Sequence, residues 1–139
     1  MYFLDSIRAD SGLIETLEPD QIALVSVYKD SSAIKLGGIQ AKNGLIYFTT
    51  KSFARTHYWN YFKSKSIEYQ KAFPNLKNEN QVIYILNGKI LKSNIEAELF
   101  GINDSNFIEL TVISSDRLKN DFNISDKSIG VIVKTSIQK

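Results

Sequence analysis

Apolar positions along this chain fall in short runs, many of them alternating every second residue, with polar turns between. Residues 2–5 form a short apolar run that ends at a polar turn. Residues 13–17 space their apolar side chains as a helix does, and Glu18-Pro19-Asp20 ends that segment. Residues 22–28 predict a strand with two fairly apolar faces, which implies burial on both sides or a cover of helices. Asp30-Ser31-Ser32 offers N-cap oxygens to a helix through Leu36, and Gly37-Gly38 stops it. Asn43-Gly44 predicts a turn and residues 45–50 a β-branched and aromatic strand. The longest predicted helix covers residues 53–73. Tyr58, Phe62, Tyr69 and Phe73 share one stripe, Lys63, Lys65, Glu68 and Lys71 lie mostly off it, and Pro74 marks the end. After a polar linker come a strand at 82–86, a type I′ hairpin signature at Asn87-Gly88 and a return strand at 89–91. Ser93 is placed to cap a helix through Phe100. A strand at 107–113, a helix through Phe122 capped by Ser115-Asp116, and a strand at 129–135 complete the chain.

This order repeats. Each half reads strand, short helix, strand, short capped helix, glycine-containing turn, strand. Tyr2-Phe3-Leu4-Asp5 matches Tyr84-Ile85-Leu86-Asn87, and the run from Ile22 matches the run from Phe107. The run from Gly44 to Thr49 is matched to the run from Gly130 to Thr135. Three matches in one order favour an internal duplication over coincidence. The expected class is α+β: two βαβαβ repeats joined by a long helix, with mixed sheets packed by helices. Three strands make a weak sheet alone, so the halves (1–51 and 81–139, with 52–80 as connecting helix and loop) are expected to bury each other in a single domain.

Composition narrows the function classes only a little. The chain has 139 residues, 43% of them hydrophobic and 23% charged, with a net charge of +2. That suits one ordinary globular domain and is too little charge to argue for nucleic acid or acidic lipid. With no cysteine, disulfides and thiolate metal sites are excluded. No run approaches the roughly 18 apolar residues of a membrane-spanning helix. Met1-Tyr2-Phe3-Leu4-Asp5 leads straight into patterned sequence, and no signal peptide is read there.

The turn and cap residues of the first half carry a resemblance. Leu4-Asp5, Leu17-Glu18-Pro19-Asp20-Gln21-Ile22, Val27-Tyr28-Lys29-Asp30, Ala33, Gly37, Asn43-Gly44 and Thr49-Thr50-Lys51 follow one another as in a known pattern. Over residues 1–51 the chain resembles the plug domain of TonB-dependent outer-membrane receptors, particularly the Bacteroidetes type. The second half keeps Leu86-Asn87-Gly88, Gly130 and a closing strand with Thr135. It has Ser114-Ser115 where Lys-Asp is expected and no Asn-Gly before its last strand. The resemblance implies two tandem plug-like halves and a non-enzymatic, transport-related role at the periplasm or outer membrane. Its implied partner is another protein, such as an envelope component. In that family the plug fills a β-barrel, which 139 residues cannot also encode.

Chemistry-bearing motifs are few. His57 is the only histidine and is read as a packing or surface residue. Without a second histidine or a cysteine a zinc site is improbable. Asp121, Asn123 and Ser125 start like a calcium loop, but Asp126 stands where its glycine belongs and Ile132 where its glutamate belongs. Gly88-Lys89 lacks the rest of a phosphate loop. No nucleophile, base or metal cluster can be assembled from neighbouring positions, so no enzyme, metal or cofactor is expected. The distinctive segment is 51–77, where Lys51, Arg55, Lys63, Lys65, Lys71 and Lys77 interleave with aromatic residues. Its aromatics are either a core face or a binding surface, and the candidate protein-binding residues are Tyr58, Trp59, Tyr61 and Phe62. The alternative is a cytosolic nucleic-acid-binding or regulatory module, which needs those lysines in one exposed stripe. Nucleic acid is the disfavoured partner, and the oligomeric state is left open.

Overall fold

The computed structural model describes residues 1–76 and 79–136. The first half contains β1 (Tyr2–Leu4), β2 (Ile7–Ala9), α1 (Ser11–Glu15), β3 (Ile22–Tyr28), α2 (Asp30–Gly37) and β4 (Leu45–Thr50). Then come α3 (Lys51–Lys65) and α4 (Ile67–Ala72). The second half contains β5 (Val82–Leu86), β6 (Lys89–Ile90), α5 (Ile95–Phe100), β7 (Phe107–Ser114), α6 (Ser115–Phe122) and β8 (Ile129–Thr135). The class is α+β with two repeated halves. The strands form two separate four-stranded sheets, ordered β2-β1-β4-β3 and β6-β5-β8-β7. The chain divides into two compact units, Met1–Arg55 and Thr56–Lys139, so the aromatic segment expected as a connector belongs to the second unit from Thr56 onward.

Several details differ from expectation. The first half has a fourth strand that was not expected, because Asp5-Ser6 (φ 49° and 73°) turns the chain into β2 just as the expected hairpin at Asn87-Gly88 (φ 51° and 83°) turns it into β6. The helix expected over 53–73 is two helices. Ser66 leaves the helical region (φ −144°, ψ 119°) and caps α4 by accepting the Tyr69 N–H at 3.1 Å. Lys29 stands at the N-cap of α2 with no side-chain bond, so Asp30-Ser31-Ser32 does not cap it. In the second half Ser114 caps α6 rather than Ser115-Asp116, and Asn94 rather than Ser93 precedes α5.

The two sheets share pairing down to their irregularities. In both, the two central strands are parallel (β1 with β4, β5 with β8) and the outer pairs antiparallel. β3 carries one extra residue between Ile22 and Leu24, and β7 carries one at the matching place between Phe107 and Glu109. A bulge is a specific local feature, so its recurrence at one register supports duplication. A side-chain clamp recurs as well. Asp5 accepts the Thr50 N–H and the Thr50 hydroxyl, both at 2.8 Å. Asn87 accepts the Thr135 N–H and donates to its Oγ1, both at 2.9 Å. Asp5→Ala, which removes two such bonds, is expected to cost the first unit about 1–2 kcal/mol. Segment-resolved hydrogen exchange during denaturant titration checks this, and an unchanged first unit would reduce the clamp to an ornament of the turn.

Strand pairing corrects the third sequence match by one residue. Leu45 pairs with Tyr28 where Gly130 pairs with Ile113, so Leu45 is the counterpart of Gly130, and Thr50, not Thr49, of Thr135. The two glycines that invited the match do different work. Gly44 (φ 116°) makes the turn before β4, a backbone conformation that favours glycine. Gly130 lies inside β8, where a Cβ would stand 2.6 Å from Leu118 Cδ2 and 2.7 Å from Ile113 Cγ1. The contact is a size exchange between the halves. In the first, large Leu45 of β4 shares a core with small Ala33 and Ala41 and lies against Gly37 of α2; in the second, large Leu118 of α6 lies against Gly130.

Each sheet therefore has one face under its own repeat helix. Ala33, Ala41 and Leu45 form that core in the first unit, with Phe3, Tyr28 and Tyr47 against it. Ile85, Ile113 and Leu118 form it in the second. The opposite faces are treated differently, and that difference locates the candidate site.

Candidate protein-binding site

In the second unit the other face is filled. Tyr84, Val131 and Val133 point into a core with Tyr58, Phe62, Tyr69 and Phe73 of the α3–α4 segment, with Leu99 of α5 and with Ile102 just after it. The predicted aromatic stripe thus holds across the break at Ser66. The rings meet edge to face: Tyr58 to Tyr84 at 5.7 Å between centroids, and Phe62 to Tyr69 at 5.4 Å. The Tyr69 and Tyr84 hydroxyls hydrogen-bond each other at 2.8 Å inside this core.

The four residues named from sequence as a binding surface divide accordingly. Tyr58 is 5% exposed and Phe62 fully buried, so a partner cannot reach them. Trp59 is half-buried. Its indole N–H donates to the Phe73 carbonyl at 2.8 Å, and the Lys63 ammonium sits 3.2 Å over its ring. Tyr61 is half-buried and donates its hydroxyl to Asp104 at 2.8 Å. Lys65 pairs with the same carboxylate at 2.9 Å. Lys63 and Lys65 are thus both engaged with groups of their own unit. Lys77 lies outside the described residues. His57 is exposed and packs its ring against Phe100 at 4.7 Å.

The Tyr61–Asp104–Lys65 cluster has a titration signature. Burial, then the bond to Asp104 and its negative charge, push the Tyr61 phenol up to about 12. The hydrogen bonds from Lys65 and Tyr61 hold the exposed Asp104 carboxyl below its ordinary value. Because Tyr61 keeps its proton longer folded than unfolded, its contribution is complete below the unfolded value of 10.0 and fades as pH rises toward about 12. Asp104→Asn is expected to move the Tyr61 titration, followed by phenolate absorbance, part of the way down. A full return to the ordinary value would assign the whole shift to Asp104 and none to burial.

In the first unit the equivalent face is open. Strand pairing puts Val25 with Phe48 and Val27 with Ile46, in line with Leu4 and Tyr2 on β1 and Ile7 on β2. Val25 is 49%, Val27 60% and Ile7 72% exposed. Their second-half counterparts at β7, Leu110 and Val112, are partly buried against the aromatic core. The sequence expectation that β3 is covered on both sides thus holds for one face only. Beside the open strand lies a cleft of about 420 Å³ lined by Ile14, Leu17, Pro19, Ile22, Val25 and Phe48. Counted back from the bulged strands, Ile14 and Leu17 correspond to the buried Leu99 and Ile102, and the same backbone bond joins each pair, Leu17 N–H to the Ile14 carbonyl and Ile102 N–H to the Leu99 carbonyl, both at 3.2 Å. No periodicity in β3 separates the open face from the covered one, because what differs is a helix supplied from elsewhere in the chain.

Among the described residues no group of three or more His, Asp or Glu side chains is placed to hold a metal ion. Among the same residues no helix is long and apolar enough to cross a membrane. No family model, curated protein or solved structure matches the chain.

Proposed function

We propose that this chain is a non-catalytic, plug-like protein-interaction domain of a bacterial cell-envelope protein related to outer-membrane transport. Its binding surface is the open face of the first sheet. The observation that carries this is the exposure of Val25 and Val27 on β3, with Ile7 exposed on the opposite edge strand, on a face whose counterpart is filled. Exposed apolar patches of this kind mark interaction surfaces. The plug-like sequence pattern supports the envelope assignment; among its residues Asp5 clamps Thr50, Gly37 ends α2 where a Cβ would meet Leu45, and Gly44 turns the chain into β4.

A photo-crosslinking amino acid at position 27, compared with one at exposed position 119 on α6, tests the proposal in cells. The expected result is a discrete protein adduct from position 27 alone, recovered with the envelope fraction. No adduct, or the same adducts from both positions, contradicts a binding role for this face. An adduct confined to the cytosolic fraction contradicts the envelope assignment.

A further inference from the structure

The duplication makes each half a template for the other. On the second sheet, the face bearing Tyr84, Val131 and Val133 is covered by an amphipathic helical segment whose aromatic stripe enters the core. At the margin, Asp104 in the loop between α5 and β7 receives Lys65 and Tyr61 from that segment. The first sheet presents the same pairing, the same bulge and the same apolar positions, and among the described residues no aromatic helix covers Val25 and Val27. Its corresponding loop, between α1 and β3, places Glu18 and Asp20 on either side of the position equivalent to Asp104. From Asp10 to Val27 the chain carries the exposed carboxylates Asp10, Glu15, Glu18 and Asp20 and no lysine or arginine, and the cations nearest this margin are Lys51 and Arg55, which line a cleft with Asp20. Shape asks for an apolar stripe and charge asks for a basic margin.

We propose that the open face of the first sheet binds an amphipathic helix of a partner protein. This helix bears large aromatic or aliphatic residues on one stripe and lysine or arginine at its margin. It seats as α3–α4 seats on the second sheet, with its basic residues against Glu18 and Asp20. This inference rests on the protein-binding role proposed above and names the kind of partner.

A labelled peptide with the sequence of residues 56–73 carries this chemistry and serves as the probe. It is titrated by fluorescence anisotropy against the full chain, Val27→Glu, the double variant Glu18→Lys/Asp20→Lys, and the control Lys119→Glu. The expected result is saturable binding to the full chain and the control. Val27→Glu should weaken it about tenfold or more, and the charge reversal should weaken it and flatten its salt dependence. Absence of binding, or binding indifferent to Val27→Glu, overturns the helix proposal. So does self-association of the full chain, seen by sedimentation, that Val27→Glu abolishes, because the face then takes a second copy. Crosslinked adducts at position 27 despite peptide failure leave the protein-binding role standing with a non-helical partner. Failure of both removes that role too.

Discussion

Phe62→Ala lowers the stability of the second unit by about 3–5 kcal/mol, the range for deleting a large aromatic side chain from a packed core. Phe62 is fully buried, with the rings of Tyr58, Tyr61, Tyr69 and Tyr84 around it at centroid distances of 5.9, 6.1, 5.4 and 6.4 Å. Truncation removes the transfer free energy and leaves a void that four stiff rings close poorly. Domains are stable by about 5–15 kcal/mol in all, so much of the margin is lost. Trp59, the only tryptophan, lies in this unit and reports its denaturant midpoint directly. A cost below about 0.5 kcal/mol, the level of an ordinary surface substitution, would mean that the aromatic stripe is not core. It would also return Tyr58 and Phe62 to candidacy as a binding surface.

The second large effect concerns the size exchange between the halves. Leu118→Ala is expected to cost about 2–5 kcal/mol by leaving a cavity over β8. Gly130→Leu alone is expected to cost about 1–3 kcal/mol by overpacking, although a side chain would otherwise improve a strand. The pair together moves the bulk from helix to strand, as in the first half, where Leu45 of β4 packs with Ala33. The double variant should therefore recover at least about 1 kcal/mol relative to the two single costs added, a coupling typical of side chains in contact. Additive costs would show that the helices sit too differently on their sheets for the halves to be templates for one another.

Much of the architecture was legible in the pattern of the chain, for reasons particular residues make plain. β3, β4, β5 and β8 have the expected bounds because β-branched and aromatic runs end at strong turn residues. β2 was missed because Ile7-Arg8-Ala9 is too short to show alternation, and its turn uses Asp5-Ser6 where a hairpin usually advertises itself with glycine. The break at Ser66 was hidden because Tyr58, Phe62, Tyr69 and Phe73 keep helical spacing across it. The third repeat match slipped by one residue because glycine is used for a turn at Gly44 and for close packing at Gly130. The candidate site was the least legible part. Val25 and Val27 look like core residues, and only the placement of α3–α4 on the second sheet leaves them open.

One paired measurement tests this contrast: the unfolding free energies of Val27→Glu and Val112→Glu, resolved by segment through hydrogen exchange. The two valines stand at equivalent positions, Val27 opposite Ile46 and Val112 opposite Val131. A carboxylate at position 27 meets water and should cost the first unit no more than about 0.5 kcal/mol. A carboxylate at position 112 is pressed against the aromatic core and should cost the second unit about 2 kcal/mol. Equal costs at the two positions would contradict the account, because the first sheet would then be covered as the second is and would have no open face to offer.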